Sequence, residues 1–334
     1  MHLDDAWTLA TGKGAIIAIV DTGVDLDHPD LVRKLIIRDD ADLIDPDGCL
    51  ENGCVNNGPD DPHGHGTAMA GIAAASTNNG VGIAGAAPAA RLLPVRVRYA
   101  NDASLELIPD GIIYAADHGA DVINVSLAIE ALPKAVEDQL PVDPFDRYLR
   151  ELNRAVDHAW EKGAIVIASA GNGFPNTGTA GGPPFGGGKP VCGGPGFNPK
   201  VICVGAIDNT NTHAFYSDYD ALRETNYIVG PSGRDVSNSP LPSEFSPCAE
   251  RIAATWPTGT DRACPGDLPP GYGFVSGTSS PTALTSGVAA LLVQQGLTND
   301  QILQRILSSA EDLGLPGWDP VYGYGKLDAF AAVN

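Results

Sequence analysis

The segment Ala15-Ile16-Ile17-Ala18-Ile19-Val20-Asp21-Thr22-Gly23 decides the fold. Ala15–Val20 is an unbroken apolar run of strand length with no polar face to give to water. Such a strand is buried on both sides, as in a parallel sheet covered by helices. The run stops at a carboxylate and a Thr-Gly turn. Four further runs of the same kind follow: Leu92–Val97, Val122–Leu127, Ala164–Ala168 and Val201–Val204. Helical spacing lies between them. Leu107 to His118 repeats apolar residues at Leu107, Ile108, Ile112 and Ala115, and Tyr148 to Lys162 aligns Leu149, Leu152, Val156, Ala159 and Trp160 on one stripe. Thr67 to Ala75 is small and apolar. This alternation predicts an α/β protein with a mostly parallel central sheet and helices on both faces, formed as one domain over residues 1–334.

The last third carries two more helices. Thr282 to Gln295 is almost wholly apolar and is expected at the centre of the molecule. Thr298-Asn299-Asp300-Gln301 fits a capping box, in which Thr298 bonds the backbone at Gln301 and Gln301 reaches back. Gly173 to Gly196 and Pro231 to Pro247 read as surface loops within the domain. Neither has the G-x-x-x-x-G-K-[ST] pattern of a phosphate cradle, and nucleotide binding is not expected.

The chain has 334 residues, of which 43% are apolar, ample for one buried core. No apolar run approaches the roughly 18 to 20 residues that cross a bilayer. A net charge of −21 argues against nucleic acid, whose phosphates a binder must neutralise with Lys and Arg. It also disfavours an anionic membrane surface. Asp outnumbers Glu and Lys is scarce, a surface suited to solubility, cation binding or a saline habitat.

The six cysteines fall into local pairs, Cys49 with Cys54, Cys192 with Cys203, and Cys248 with Cys264. Local pairs predict three short disulfide loops in an oxidising compartment; the other reading is six thiols. No pair has C-x2-C zinc spacing. Met1-His2-Leu3-Asp4-Asp5 lacks the basic and then apolar pattern of a secretory signal, which taken literally means a cytoplasmic protein. With the cysteines, the expectation is a secreted catalytic region whose leader is absent.

Four polar residues stand at strand ends or helix starts. Asp21 ends the first strand, where ligands gather in open α/β sheets; alone it reads as a turn Asp bonding its own backbone. His65 lies in Gly64-His65-Gly66-Thr67, free of side-chain bulk on either side, with His63 close by. Ser279 lies in Ser276-Gly277-Thr278-Ser279-Ser280-Pro281, just before the apolar helix. There it feels the positive end of the helix dipole, although a helix cap is the common role of such a serine. Pro281 fits a first helical turn, where its missing N–H removes no bond. Asn172, in Gly171-Asn172-Gly173 after a buried strand, offers an amide to a developing oxyanion, or is a plain turn Asn. Together the four supply a nucleophile, a base, an orienter and an oxyanion donor, the groups that acyl transfer needs.

The blocks Val20-Asp21-Thr22-Gly23, Gly64-His65-Gly66-Thr67 and Gly277-Thr278-Ser279, in the order Asp, His, Ser, resemble the three signatures of the subtilisin-like serine proteases, the subtilase family. The resemblance runs from about Trp7 to about Val333. It implies a serine endopeptidase acting on proteins or peptides. Ser279 would form the acyl-enzyme, His65 would carry the proton, and Asp21 would fix the imidazole tautomer. Asn172 and the Ser279 N–H would hold the oxyanion. Ser126-Leu127-Ala128 matches the strand that pairs with substrate backbone, with Ala128 where the family has glycine. Gly171 and Gly173 count with the substrate-binding residues. The resemblance also implies a monomer and a propeptide as folding partner.

For a structural calcium it implies the carboxylate of Asp30, the side chain of Asn79, and the carbonyls of Thr77, Val81 and Ile83. The loop is one residue longer than the compact pattern, and Asn78-Asn79-Gly80 also reads as an ordinary turn. Ser280-Pro281-Thr282-Ala283-Leu284 departs from the family's Met-Ala-Ser-Pro-His, which leaves the start of the last large helix open and makes Ser280 a rival nucleophile. Two other functions use these residues differently. A peptide ligase or cyclase would share the triad; a non-catalytic binding module would have a broken one.

Overall fold

The computed structural model describes residues 1–44, 58–98, 107–127, 144–172, 198–220, 225–233, 250–258 and 268–334. Its strands are β1 (Ile16–Asp21), β2 (Arg91–Arg96), β3 (Val122–Val125), β4 (Ile165–Ser169), β5 (Val201–Ile207), β6 (Asn226–Pro231), β7 (Ile252–Thr255) and β8 (Tyr272–Val275). Its helices are α1 (Leu3–Ala6), α2 (His65–Ala74), α3 (Ile108–Asp117), α4 (Pro144–Glu161), α5 (Ser279–Gln294), α6 (Asn299–Ser309) and α7 (Ala329–Val333). The first six strands form one parallel sheet in the order β2-β1-β3-β4-β5-β6. The order turns back at β1, so the ends of β1 and β3 open a crevice between diverging connections, where α/β sheets hold their ligands. β7 and β8 pair antiparallel as a separate two-stranded sheet.

Both faces of the parallel sheet are covered, as the unbroken apolar strands require. Side chains alternate along a strand, so β1 feeds two cores. Ile17 and Ile19 pack with Met69 and Ile72 of α2 and Val288 and Leu291 of α5. Ala18 and Val20 pack on the other face with Ile112 of α3 and Leu152 and Val156 of α4. The five strands read from the sequence are present with ends shifted by a residue or a few; β6, β7 and β8 were not expected. The capping box forms: the Gln301 N–H donates to Thr298 Oγ1 at 3.4 Å and the Thr298 N–H to Gln301 Oε1 at 3.0 Å.

The central helix is α5, buried from Ser279 to Leu292 and in contact with β1, β3, β4, β5 and β6. Its hydroxyls survive burial by bonding back one turn. Thr282, Thr285 and Ser286 donate to the carbonyls of Thr278, Pro281 and Thr282 at 2.7, 2.8 and 3.0 Å. Pro281 lies in the first turn, and Thr282 N–H closes the first helical bond to Thr278 at 3.3 Å. The proline therefore interrupts nothing, and the helix starts at Ser279.

α5 packs closely on α2 and the segment after it at Gly287. A Cβ on Gly287 would stand 2.5 Å from Ala86 Cβ and 2.8 Å from the Ala73 carbonyl. At the far end of α2 the Lys34 ammonium donates to the carbonyls of Ala74 and Pro88. Burial pushes that ammonium down to about 8, against the attraction of Asp30. Of the six cysteines only Cys203, buried in β5, is among the described residues. Among the described residues no helix is long and apolar enough to cross a membrane.

Gly287→Ala is expected to lower stability by about 1–3 kcal/mol through overpacking between α5 and α2. Denaturant unfolding of the variant beside the parent protein measures it; equal midpoints would mean that the two helices separate freely.

Candidate active site

Asp21 is the last residue of β1 and has 0% exposure. Its carboxylate would be an expensive buried charge without donors. Two meet it: the Thr22 N–H at 2.8 Å and the His65 ring at Nδ1, 2.7 and 2.9 Å from the two oxygens. An ionised carboxylate only accepts, so the His65 proton sits on Nδ1 and Nε2 carries the lone pair. Nε2 lies 3.1 Å from Ser279 Oγ. The Ser279 hydroxyl has a second acceptor, the carbonyl of Ser126 just past β3, at 3.0 Å. Asp21, His65 and Ser279 thus form one continuous line from a strand end to two helix starts.

The local sequence explains how that line is possible. His65 opens α2 after Gly64, whose φ of 106° is a left-handed value that suits glycine. Gly66 lets the helix reach the strand: a Cβ there would run into the Gly23 carbonyl and lie 3.1 Å from Asp21 Cβ. Ser279 is the first residue of α5, 7% exposed, and its own carbonyl accepts from Ser126 Oγ at 3.2 Å. Behind it the Ser286 hydroxyl shares its one proton between the Thr282 carbonyl and Asn124 Oδ1, each at 3.0 Å, and Asn124 Nδ2 donates to Ser126 Oγ at 2.9 Å. The turn before Ser279 is pinned as well. Ser232 Oγ donates to the Gly277 carbonyl at 2.7 Å, and the Gly277 N–H donates to Tyr216 Oη at 3.2 Å.

Asn172 stands beside this turn. Its Oδ1 accepts from the Thr278 N–H at 2.9 Å and from Thr278 Oγ1 at 3.1 Å. With the oxygen so engaged, Nδ2 is the end left to donate. The Gly171 N–H bonds Thr278 Oγ1 at 3.2 Å, which holds the same segment from the other side. Gly173 and Ala128 lie outside the described residues, while Ser126 and Leu127 are buried at the end of β3. Ser280 takes no part in the line: it has 0% exposure and its hydroxyl makes no hydrogen bond. His63 is no substitute for His65, its ring centroid lying 6.5 Å from that of His65.

Burial disfavours a charged His65, but the charge of Asp21, their hydrogen bond and the charge of Asp61 together outweigh it and the opposing Arg98. The imidazole pKa is therefore raised above its ordinary 6.5. The geometry can accept a proton from Ser279 at Nε2 and hold the resulting cation against Asp21, which is general-base chemistry at a hydroxyl.

The calcium set comes together in part. Asp30, with 0% exposure, meets Asn79: the amide Nδ2 donates to Asp30 Oδ1 at 2.5 Å. The Ile83 N–H and Tyr272 Oη donate to Asp30 Oδ2 at 3.1 and 3.0 Å. Thr77, Val81 and Ile83 line the same surface loop. The contacts at Asp30 thus involve donors as well as oxygen, and no group of three or more His, Cys, Asp or Glu among the described residues could hold a metal.

Several residues around the line escaped the sequence reading. Asn124, Tyr216 and Ser232 are polar residues within or beside apolar strands, and each is buried. Asp61 and Thr22 tie α2 to β1. Thr22 stood within the Val20-Asp21-Thr22-Gly23 block without a role, and Asp61 had a local signal as a carboxylate four residues before His65 in Asp61-Pro62-His63-Gly64-His65.

His65 should titrate above 6.5 in a Ser279→Ala protein followed by imidazole NMR, and Asp21→Asn in that background should bring it down. A titration at or below 6.5 with Asp21 intact would contradict the pairing.

The sequence profile of the Subtilase family matches residues 12–325. A thermophilic serine proteinase of Bacillus sp. (strain AK1) is 34% identical over 335 residues, covering 100% of this chain and 65% of its own length. Thermitase of Thermoactinomyces vulgaris is 32% identical over 330 residues, covering 98% of this chain and 92% of its own. A solved protease structure from Pseudoalteromonas arctica PAMC 21717 superposes with a TM-score of 0.72 at 27% identity, covering 99% of this chain and 92% of that one. With the profile spanning nearly the whole fold just described, the chain belongs to the subtilase family.

Proposed function

We propose that residues 1–334 form the catalytic domain of a secreted serine endopeptidase. The observation that carries this reading is the hydrogen-bonded line from Asp21 through His65 to Ser279, at 2.7 and 3.1 Å. Ser279 Oγ attacks the peptide carbonyl as its proton passes to His65 Nε2. Asp21 keeps the other imidazole proton on Nδ1 and stabilises the imidazolium. The tetrahedral oxyanion is received by Asn172 Nδ2 and the Ser279 N–H, which has no intrahelical partner because it opens α5. His65 then returns its proton to the leaving amine, and water repeats the sequence on the acyl-enzyme. Ser126, Leu127, Ala128, Gly171 and Gly173 form the path for substrate backbone. The domain acts as a monomer on proteins and peptides and folds with the help of its own propeptide.

We also propose a structural calcium held by Asp30, Asn79 and the carbonyls of Thr77, Val81 and Ile83. The support is the contact of the Asp30 carboxylate with the loop that carries Thr77, Asn79, Val81 and Ile83, and the preference of hard cations for oxygen. Disulfides Cys49–Cys54, Cys192–Cys203 and Cys248–Cys264 complete the reading of a secreted protein. In their favour, no described cysteine is a free thiol.

A fluorophosphonate probe is expected to label the protein at Ser279, and Ser279→Ala to abolish both labelling and peptide hydrolysis. Asn172→Ala should lower kcat by about 10²–10³ with little change in KM. Because a raised His65 must be neutral to act, the acid limb of kcat/KM should lie above pH 6.5. A protein that folds but neither labels nor hydrolyses would end the protease reading.

For the two structural proposals, intact mass should rise on reduction and alkylation by three broken bridges. Chelation should lower the melting temperature and added calcium should restore it. An unchanged mass or an unchanged melt would remove the corresponding proposal.

A further inference from the structure

Asp61 is a buried carboxylate, 5% exposed, that the reaction just described does not use. It accepts five hydrogen bonds. Oδ1 takes the His63 N–H at 2.9 Å, the Gly64 N–H at 2.8 Å and Thr22 Oγ1 at 2.9 Å. Oδ2 takes the Thr67 N–H at 2.9 Å and Thr67 Oγ1 at 2.6 Å. The first turn of a helix leaves N–H groups without partners. In α2 those of His65, Gly66 and Thr67 are all satisfied by side chains, and Asp61 is behind each one. It takes Thr67 directly. It holds Thr22, whose Oγ1 accepts from the Gly66 N–H at 3.0 Å. It holds the backbone of His63, whose Nδ1 accepts from the His65 N–H at 3.3 Å. Thr22 follows Asp21 directly, so one carboxylate grips both the strand end that bears Asp21 and the helix start that bears His65. Thr67 extends the grip outward, accepting the Asp25 N–H at 2.9 Å on Oγ1 and Thr255 Oγ1 at 2.6 Å on its carbonyl.

We propose that Asp61 is a positioning residue for His65: through Thr22 and the first turn of α2 it fixes the distance between the imidazole and Asp21. This inference rests on His65 being the general base of the proposed protease. Asp61 also stands near enough to act on the ring by its charge, in the same direction as Asp21 and against Arg98. His63, the other titratable group facing the ring, is itself held down by burial and by the charge of His65. The carboxyl of Asp60, next to Asp61, is raised above its ordinary range by burial. A carboxylate that only capped the helix would still raise His65 by its charge, so the titration in Asp61→Asn reads the charge and the Thr22 variants read the positioning.

The test is Asp61→Asn, read two ways. Imidazole NMR in the Ser279→Ala background needs no turnover; the His65 pKa should fall as the Asp61 charge is lost. In the Ser279 protein, kcat should fall about 10- to 100-fold with KM nearly constant, and the acid limb should move to lower pH. Thr22→Val, which leaves the Asp61 charge in place but cuts its tie to the strand end, should lower kcat and move the acid limb to lower pH as His65 loosens from Asp21, and Thr22→Ser should restore both; this pair carries the test if Asp61→Asn does not fold. A His65 titration lowered in Thr22→Val and restored in Thr22→Ser, in a protein that hydrolyses nothing, keeps the positioning role and removes the protease reading. Normal hydrolysis with an unmoved titration in Asp61→Asn, or full kcat in Thr22→Val, removes the positioning role and keeps the protease reading.

Discussion

A negative charge sealed inside the protein sets the terms for everything around it. Asp21 has no exposure, and a carboxylate in that position survives only among donors. One donor is its own neighbour, Thr22. The other has to be delivered from a different element, and that delivery shapes the molecule. α2 must begin within hydrogen-bond reach of the end of β1, which demands glycine at 66 and a left-handed glycine at 64. α2 must also be thin enough for α5 to pass over it, which explains the run of small residues from Gly66 to Ala75. α5 can then bring Ser279 to the far nitrogen of the same imidazole.

Elements were legible where one physical rule dominated. β1 to β5 are apolar on both faces because helices cover both faces, and such runs announce themselves without neighbours. β6 ends in Gly230-Pro231, where the stretch read as a loop begins, and its short apolar part did not stand out as a strand. β7 and β8 have four residues each and are only partly buried. They exist because α2 lies beneath them: a Cβ on Gly71 would collide with Thr255. No local pattern encodes that support.

The candidate site divides in the same way. Asp21, His65, Ser279 and Asn172 were visible because each ends a strand or opens a helix and carries the right chemistry. The residues that hold them were hidden, because burial of a polar side chain is a tertiary fact. Asn124 sits mid-strand and only the fold places Ser286 against it. Tyr272 reaches Asp30 from 242 residues away, and nothing near either residue predicts the contact. Motifs report the groups that react; the scaffold that aims them becomes readable only once the chain is folded.

The span of the central line has a consequence for how the protein comes into being. His65 and Ser279 are 214 residues apart, and the elements between them include five of the six parallel strands. Contacts so distant in sequence form late, since the chain loses loop entropy before they repay it. α5 can dock only when β1, β3, β4, β5 and β6 are already side by side. Until then the hydroxyl and the imidazole belong to separate, chemically idle pieces. A growing or half-folded chain therefore carries every reactive group and none of the reactivity, and chemical competence arrives in one step with the closing of the core.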